Sequence, residues 1–323
     1  MTSAAQAPAP RTGADAPERT VQLRPARPRY GERVVLALLR LCGVVSIATT
    51  VGIVVVLFVD ASAFFRVPEI TLRGFLTGTE WWPYAGAESG RFGILPLLSA
   101  TLMVTAIAVV TAVPLGLATA AFLSDYAPPR VRTVVKPVLE LLAGIPTVVL
   151  GWFALTFVTP LLRALLGVEV VQVFNVASAG LVMGVMIVPT VASLSEDAMS
   201  AVPQDLRLAA YGLGATKRTV VTQVVVPAAL SGIVGAVILA VGRAIGETMI
   251  VAVAAGNLAN LTGNPFEQAQ TMTAYIVQAV SGEAPRGSLT YQSIFAVGSL
   301  LFLITFGLNV LAQRFVRRFR EVY

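Results

Sequence analysis

Histidine is absent from the 323 residues, cysteine occurs once, lysine twice, and only 12% of the chain is charged. Without histidine there is no Ser-His-Asp triad, no HExxH zinc site and no histidine proton relay. The lone cysteine, Cys42, excludes an internal disulfide and any multi-cysteine metal cluster. It lies in the first apolar run and reads as a small lipid- or helix-facing side chain rather than a reactive thiol. Neither lysine, Lys136 nor Lys217, follows a glycine, so the phosphate loop GxxxxGK[ST] is impossible and any ATP-driven work requires another polypeptide. Charge is at about half the density of a soluble domain, 56% of residues are apolar and the mean hydropathy is +0.80. Such a chain places much of its apolar area in lipid, which excludes an ordinary soluble enzyme.

What is present is a series of apolar runs. Residues 1–33, rich in Ala, Pro and Arg, read as a disordered tail and lack the hydrophobic core of a cleaved signal. Six stretches follow: Leu41 to Val59, Leu95 to Leu123 with Pro114 as a kink, Leu141 to Leu162 interrupted by Gly144-Ile145-Pro146, Val176 to Leu194 with Pro189, Val224 to Ala255, and Ile294 to Ala312. Each is too long for a soluble strand, and helices satisfy their own backbone groups in lipid. The pattern predicts an all-α membrane protein with six transmembrane helices over 34–314 and a basic tail at 315–323. With the N-terminus inside, the inner segments hold seventeen Lys and Arg and the outer ones five, Arg66, Arg73, Arg91, Arg163 and Arg286. That bias predicts both termini in the cytoplasm. The net charge of +6 then follows from orientation, with no nucleic-acid partner.

Two outer segments stand out. Residues 60–92 carry Trp81-Trp82-Pro83-Tyr84, suited to the bilayer interface or, alternatively, to docking an external partner. Residues 256–292 are polar, with Asn257, Asn260 and Asn264, and are a candidate outer gate. No internal repeat supports an inverted-repeat carrier.

The inner loop at 196–218 is longer than adjacent helices require. Pro203 can start a short helix with Gln204 and Asp205 in its first turn, where a negative group suits the macrodipole, and Gly212 and Gly214 can end it. Such a helix is either a knob that enters a groove on another protein or a cap on the bundle. Ala209-Ala210, Gly214 four residues on, and Val224-Val225-Val226-Pro227 resemble the EAA signature of ABC-importer permeases at every spacing, with Leu208 where that family usually has glutamate. Phe75-Leu76-Thr77-Gly78, the run Phe92 to Leu98, the run Lys136 to Pro146 and Gly242-Arg243-Ala244-Ile245-Gly246-Glu247-Thr248-Met249 are similar to the C-type subunit of the phosphate-specific permeases, over roughly residues 34–314. The resemblance implies the type I ABC-importer (MetI-like) fold. It also implies a place in the bacterial inner membrane, a sister permease, two cytoplasmic ATPase subunits carrying ATP and Mg2+, and an external phosphate-binding protein. The coupling residues it implies are Leu208, Ala209, Ala210, Gly212, Gly214 and Ala215.

Arg243 and Glu247 lie deep in the fifth run, where a charge costs at least roughly 2.5–3.5 kcal/mol. At i and i+4 they share a helical face, about 6 Å apart along the axis. Gly242 and Gly246 beside them would let a partner helix approach. The pair either locks helix packing by self-neutralisation, or Arg243 offers forked donors to phosphate oxygens while Glu247 holds the guanidinium. In the resembled family both positions are placed on the phosphate path; Thr248 is a candidate hydroxyl ligand. Lys136 and Glu140 form a possible gate or an i, i+4 interfacial pair, and Pro146 and Pro189 read as bends. The expected function is one permease half of an ATP-driven phosphate importer with no covalent chemistry on this chain. The alternatives are a permease for sulfate, molybdate or phosphonate, a stand-alone channel or carrier, and a membrane sensor or scaffold.

Overall fold

Where apolar residues continue uncharged for about twenty positions, a helix is the element that leaves no backbone group unpaired in hydrocarbon, and helices dominate this chain. The computed structural model describes residues 30–282 and 284–318. Two compact units are distinguished, residues 1–53 and 54–323. Helix α1, Tyr30–Phe64, starts in the first, where its side chains from Gly31 to Ile53 are exposed. The tail expected at 1–33 lies outside the described residues except for its last four, which open α1.

The second unit continues with α2 (Leu72–Thr77) and a two-stranded antiparallel ribbon, β1 (Trp81–Trp82) with β2 (Arg91–Phe92). Then come α3 (Leu95–Ala121), running into a π turn at Phe122–Tyr126, and the amphipathic α4 (Pro129–Ala143). Next are α5 (Thr147–Leu166), α6 (Val176–Ser200) and the short α7 (Gln204–Gly212). The chain closes with α8 (Lys217–Ala228), α9 (Leu230–Gly246), α10 (Met249–Ala254), α11 (Met272–Ser281) and α12 (Leu289–Arg318). The basic tail expected at 315–323 is helical to Arg318, and its remainder lies outside the described residues.

Among the described residues five helices, α1, α3, α5, α6 and α12, are long and apolar enough to span a membrane, and the bent pair α8–α9 makes a sixth when the two are counted as one broken span. Three expected boundaries shift. The third span begins at Thr147, because Pro146 lacks an amide donor and separates α4, with its polar face, from the apolar helix. The fourth extends through Ser200, so Glu196 and Asp197 belong to a helix and not to a loop. The fifth is not one helix. Pro227 cannot donate, and α8 and α9 meet at a 71° bend. The helix then stops at Gly246 and restarts at Met249.

Helix α6 is the centre of the bundle. Its seam with α3 is made of small residues: a Cβ on Gly180 would lie 2.8 Å from that of Ile107, one on Gly184 2.8 Å from that of Thr111, and one on Gly116 2.7 Å from that of Val191. Backbones that close are how helices adhere where lipid offers no hydrophobic drive. The start of α6 is fixed by Asn175, whose side chain accepts from the Ser178 amide (2.7 Å) and donates to Thr159 of α5 (3.2 Å).

The end holding β1 and β2 has its own aromatic core of Phe64, Phe75, Trp81 and Tyr275. Trp81 is only 4% exposed and meets Tyr275 edge-on with centroids 5.0 Å apart. It is therefore not a belt residue, whereas Trp82 and Tyr84 are exposed. Tyr275 comes from α11, a helix inside the segment expected to be a polar loop; its ten residues bury Met272 to Tyr275 between polar flanks. Within that segment Asn260 and Asn264 donate to Glu267.

Candidate functional site: a broken helix and a braced knob

The break after Gly246 arises locally. Glu247 has extended backbone (φ −65°, ψ 135°), and its Oε1 accepts from the amides of Met249 (3.1 Å) and Ile250 (3.4 Å), two donors that the first turn of α10 leaves free. Its own carbonyl, orphaned by the break, accepts from Thr273 Oγ1 of α11 at 2.7 Å. Thr248 Oγ1 donates back to the Gly246 carbonyl at 3.2 Å.

Arg243 and Glu247 therefore do not share a helical face, because the helix that would have aligned them ends between them. Arg243 instead stands in the last turn of α9, where the helix dipole favours a cation, and Nη1 donates to Thr190 Oγ1 of α6 at 3.0 Å. Of the five N–H groups of a guanidinium, this is the one engaged among the described residues, and Arg243 is exposed. A Cβ on Gly242 or Gly246 would meet nothing within 4 Å, so the close approach those glycines permit is not used by this chain's own helices. Thr190 and Thr273 escaped the sequence reading; the bend at Pro189 was the only nearby signal.

The second region lies further along α6, near its C-terminal end. Glu196 is fully buried and accepts from Arg132 Nη2, from Lys136 Nζ at 2.8 Å and from Ser200 Oγ at 2.8 Å. Lys136 also meets Asp197 at 2.8 Å. Its hydrogen bonds to Asp197 and then Glu196 hold its pKa above the ordinary 10.5. Lys136 thus pairs across to α6 and not along α4 to Glu140, which is exposed and makes no ion pair among the described residues. Glu196 outcompetes it by offering a buried, multiply bonded position, and the exposed Asp197 adds a second anion beside it.

Helix α7 begins after Pro203 as expected. It ends in a Schellman motif: the Ala215 amide donates to the Ala210 carbonyl (3.1 Å) and the Gly214 amide to that of Tyr211 (2.9 Å). Gly214 carries φ +81°, a conformation that disfavours any Cβ. Gly212 is the last helical residue and is not the terminator. Leu206, Ala210 and Ala215 pack against the cluster of Met199, Val202 and Val220. Leu208, Tyr211 and Leu213 face outward, Leu213 at 90% exposure, and Ala209 and Gly212 lie between them on the same exposed surface. Arg207 fastens the helix: Nη1 bonds Asp125 Oδ1 in the π turn of α3, and Nη2 donates to the Met199 carbonyl at 2.6 Å.

With this geometry in hand, relatives can be compared. Residues 112–321 match the model of the binding-protein-dependent transport system inner membrane component. The chain is 34% identical to the probable ABC transporter permease protein YqgH of Bacillus subtilis, over 87% of this chain and 89% of that one. It is 36% identical to the phosphate transport system permease protein PstC 1 of Mycobacterium tuberculosis, over 77% and 83% respectively. A chain of a bacterial ABC transporter involved in import of the acidic polysaccharide alginate superposes with a TM-score of 0.60 at 15% identity, covering 90% of this chain and all of that one. By sequence and by fold, the chain belongs to the binding-protein-dependent transport system inner membrane components, on the branch of the phosphate transport system permeases.

Proposed function

We propose that the chain is one permease half of an ATP-driven importer of inorganic phosphate. The observation that carries the reading is α7, a stiff helix closed by Gly214, braced by Arg207 and presenting Leu208, Tyr211 and Leu213 to whatever lies beyond the bundle. A membrane helix bundle gains nothing from an apolar knob in water; a partner subunit that covers it gains buried area of about 25 cal/mol per Å². The relatives named for phosphate transport support phosphate as cargo.

In this reading the basic end, with α4 and α7, faces the cytoplasm, as do both termini. The partners are a sister permease, two ATPase subunits that hold ATP and Mg2+, and an external phosphate-binding protein at the aromatic end. ATP binding draws the ATPases together, moves α7 through Leu208–Ala215 and opens the path outward; hydrolysis reverses it. The shift requires that the ATPases interact differently with the two states. Arg243, with one N–H on Thr190 and the rest available, meets the passing anion. Glu247 keeps the helix open at that depth and Thr248 lines the break. Glu140 is a solvated charge beside the path and Lys136 is part of the Glu196 clamp.

The test is uptake of labelled phosphate by proteoliposomes holding the complete complex and its binding protein. Uptake that requires ATP and is competed by phosphate but not by sulfate or molybdate is the expected result. Uptake indifferent to phosphate would remove the assignment of cargo, and flux without the ATPases would remove the importer itself.

A further inference from the structure

Two cations, one within α7 and one just after it, reach the same π turn. Arg207 bonds Asp125 from within the helix. Lys217, at the start of α8 just after the Schellman turn, holds Nζ 4.9 Å above the ring of Tyr126. Asp125 and Tyr126 are consecutive, and the turn that holds them is π-helical, with the Ala127 amide donating to the Phe122 carbonyl at 2.7 Å. A single π turn at the end of a long helix is a less regular, more deformable element than the α-helix before it.

The Asp125 contact is buried but incomplete. Its side chain is 5% exposed and that of Arg207 17%, yet Asp125 Oδ2 is buried with no hydrogen-bond partner among the described residues, as is the neighbouring Ser124 Oγ. A buried carboxylate oxygen without a donor is costly. The donor that could satisfy it is on the same guanidinium: Nη2 carries two N–H groups, and the one bond it makes among the described residues goes to the Met199 carbonyl of α6.

From this arrangement we propose that Arg207 is a positioning residue that links α7 to α3: moving α7 turns the second N–H of Arg207 Nη2 onto Asp125 Oδ2, converting a one-point contact into a two-point fork and pulling the π turn with the knob. The added charge-assisted hydrogen bond offsets part of the cost of deforming the turn, and a partner's push selects between the two states. This inference rests on the importer reading, in which α7 is the surface that the ATPases move. Lys217 over Tyr126 supplies the second, weaker attachment.

The test uses the complete complex in proteoliposomes and reads three quantities: assembly, ATP hydrolysis, and anion taken up per ATP hydrolysed. Asp125→Asn keeps the shape but removes the fork. Its complex is expected to assemble and hydrolyse ATP while uptake per ATP falls about tenfold, a typical coupling free energy between sites. Arg207→Lys, which supplies a point charge that cannot fork, falls likewise. A ratio within about twofold of the unaltered complex for both variants overturns the proposal and leaves the pair as a fastener. Should either variant fail to assemble, Tyr126→Leu, at an exposed position, removes the second attachment without disturbing the core. Its ratio is expected to fall about threefold, a loss in keeping with one exposed cation–π contact, and an unchanged ratio there overturns the proposal equally. An unaltered complex that takes up no anion sinks the importer reading and this inference together; one that takes up phosphate with an unchanged ratio in the variants sinks only the inference.

Discussion

Glu196 and Arg243 are both charges that a lipid-embedded bundle should avoid, and they are treated in opposite ways. Glu196 is completely buried and saturated, with Arg132, Lys136 and Ser200 all donating to it. Arg243 is exposed and gives one hydrogen bond among the described residues, to Thr190. A charge that holds elements together is worth having only when its bonding capacity is filled, since an unpaired buried ion costs several kcal/mol. A charge left short of partners serves as structure poorly and serves as a binding group well. The difference separates a clamp, which joins α4 to α6, from the under-bonded cation at the break between α9 and α10 that the proposed function uses as a contact point.

The contrast breaks or holds by mutation. Arg243→Ala is expected to have the largest effect on transport. It removes the one forked donor at the break, and losing such a stabilising donor typically costs on the order of a hundredfold or more. The complex should assemble normally, because Thr190 keeps access to other partners on its own helix. Arg243→Lys recovers only part of the activity, since an ammonium cannot fork. Initial rates of labelled phosphate uptake, normalised to assembled complex, decide it; a variant that assembles poorly but transports normally per complex would make Arg243 a structural charge. Glu196→Ala is expected to do the reverse. Removing the shared anion leaves Arg132 and Lys136 facing each other and should cost about 3 kcal/mol, the low end for a broken buried pair because both cations retain some solvent. Loss of monodisperse complex on heating in detergent measures it, and uptake per surviving complex should change little.

How much of this could be read beforehand depends on how local the signal is. The existence of the apolar spans other than the fifth, the start of α7 at Pro203 and its end at Gly214 follow from neighbours within a turn or two, and the structure bears them out. Trp81 was misassigned because its burial depends on α11, almost two hundred residues later. The Glu196 clamp spans 64 residues from Arg132, and the Arg207–Asp125 contact spans 82; no periodicity encodes such distances. The break at Glu247 is a different failure. Gly246 and the carboxylate that caps the next helix are local, but an i, i+4 pair of opposite charges reads equally as a helix-stabilising pair, and the competition is decided by Thr273 arriving from α11.

A smaller effect is expected at the end of α7. Gly214→Ala places a Cβ on backbone at φ +81°, which costs about 1–2 kcal/mol, but nothing lies within 4 Å to clash with it. The bundle should remain folded, and the cost should appear as fraying of α7, read by faster amide exchange at Leu213–Ala215 and weaker retention of the ATPases. Gly212→Ala, in ordinary helical backbone, should leave both measures unchanged or slightly improved. If the two variants behave alike, the Schellman turn is not what stiffens the knob.

The smallest effect is expected from pH, and it sharpens the contrast from the clamp's side. Hydrogen bonds to Asp197 and Glu196 raise the pKa of Lys136 above 10.5. A cationic group whose pKa is raised on folding contributes its full stabilisation below the unfolded value and loses it only as pH climbs through the higher folded one. Between about pH 6 and pH 9 the lysine's contribution is therefore constant. Thermal stability of the complex should show no step in that window that Lys136→Met abolishes, although the substitution lowers stability throughout it. A step that disappears with Lys136 would mean that the ammonium titrates near neutrality, and the clamp would then be a switch and not a fixed joint.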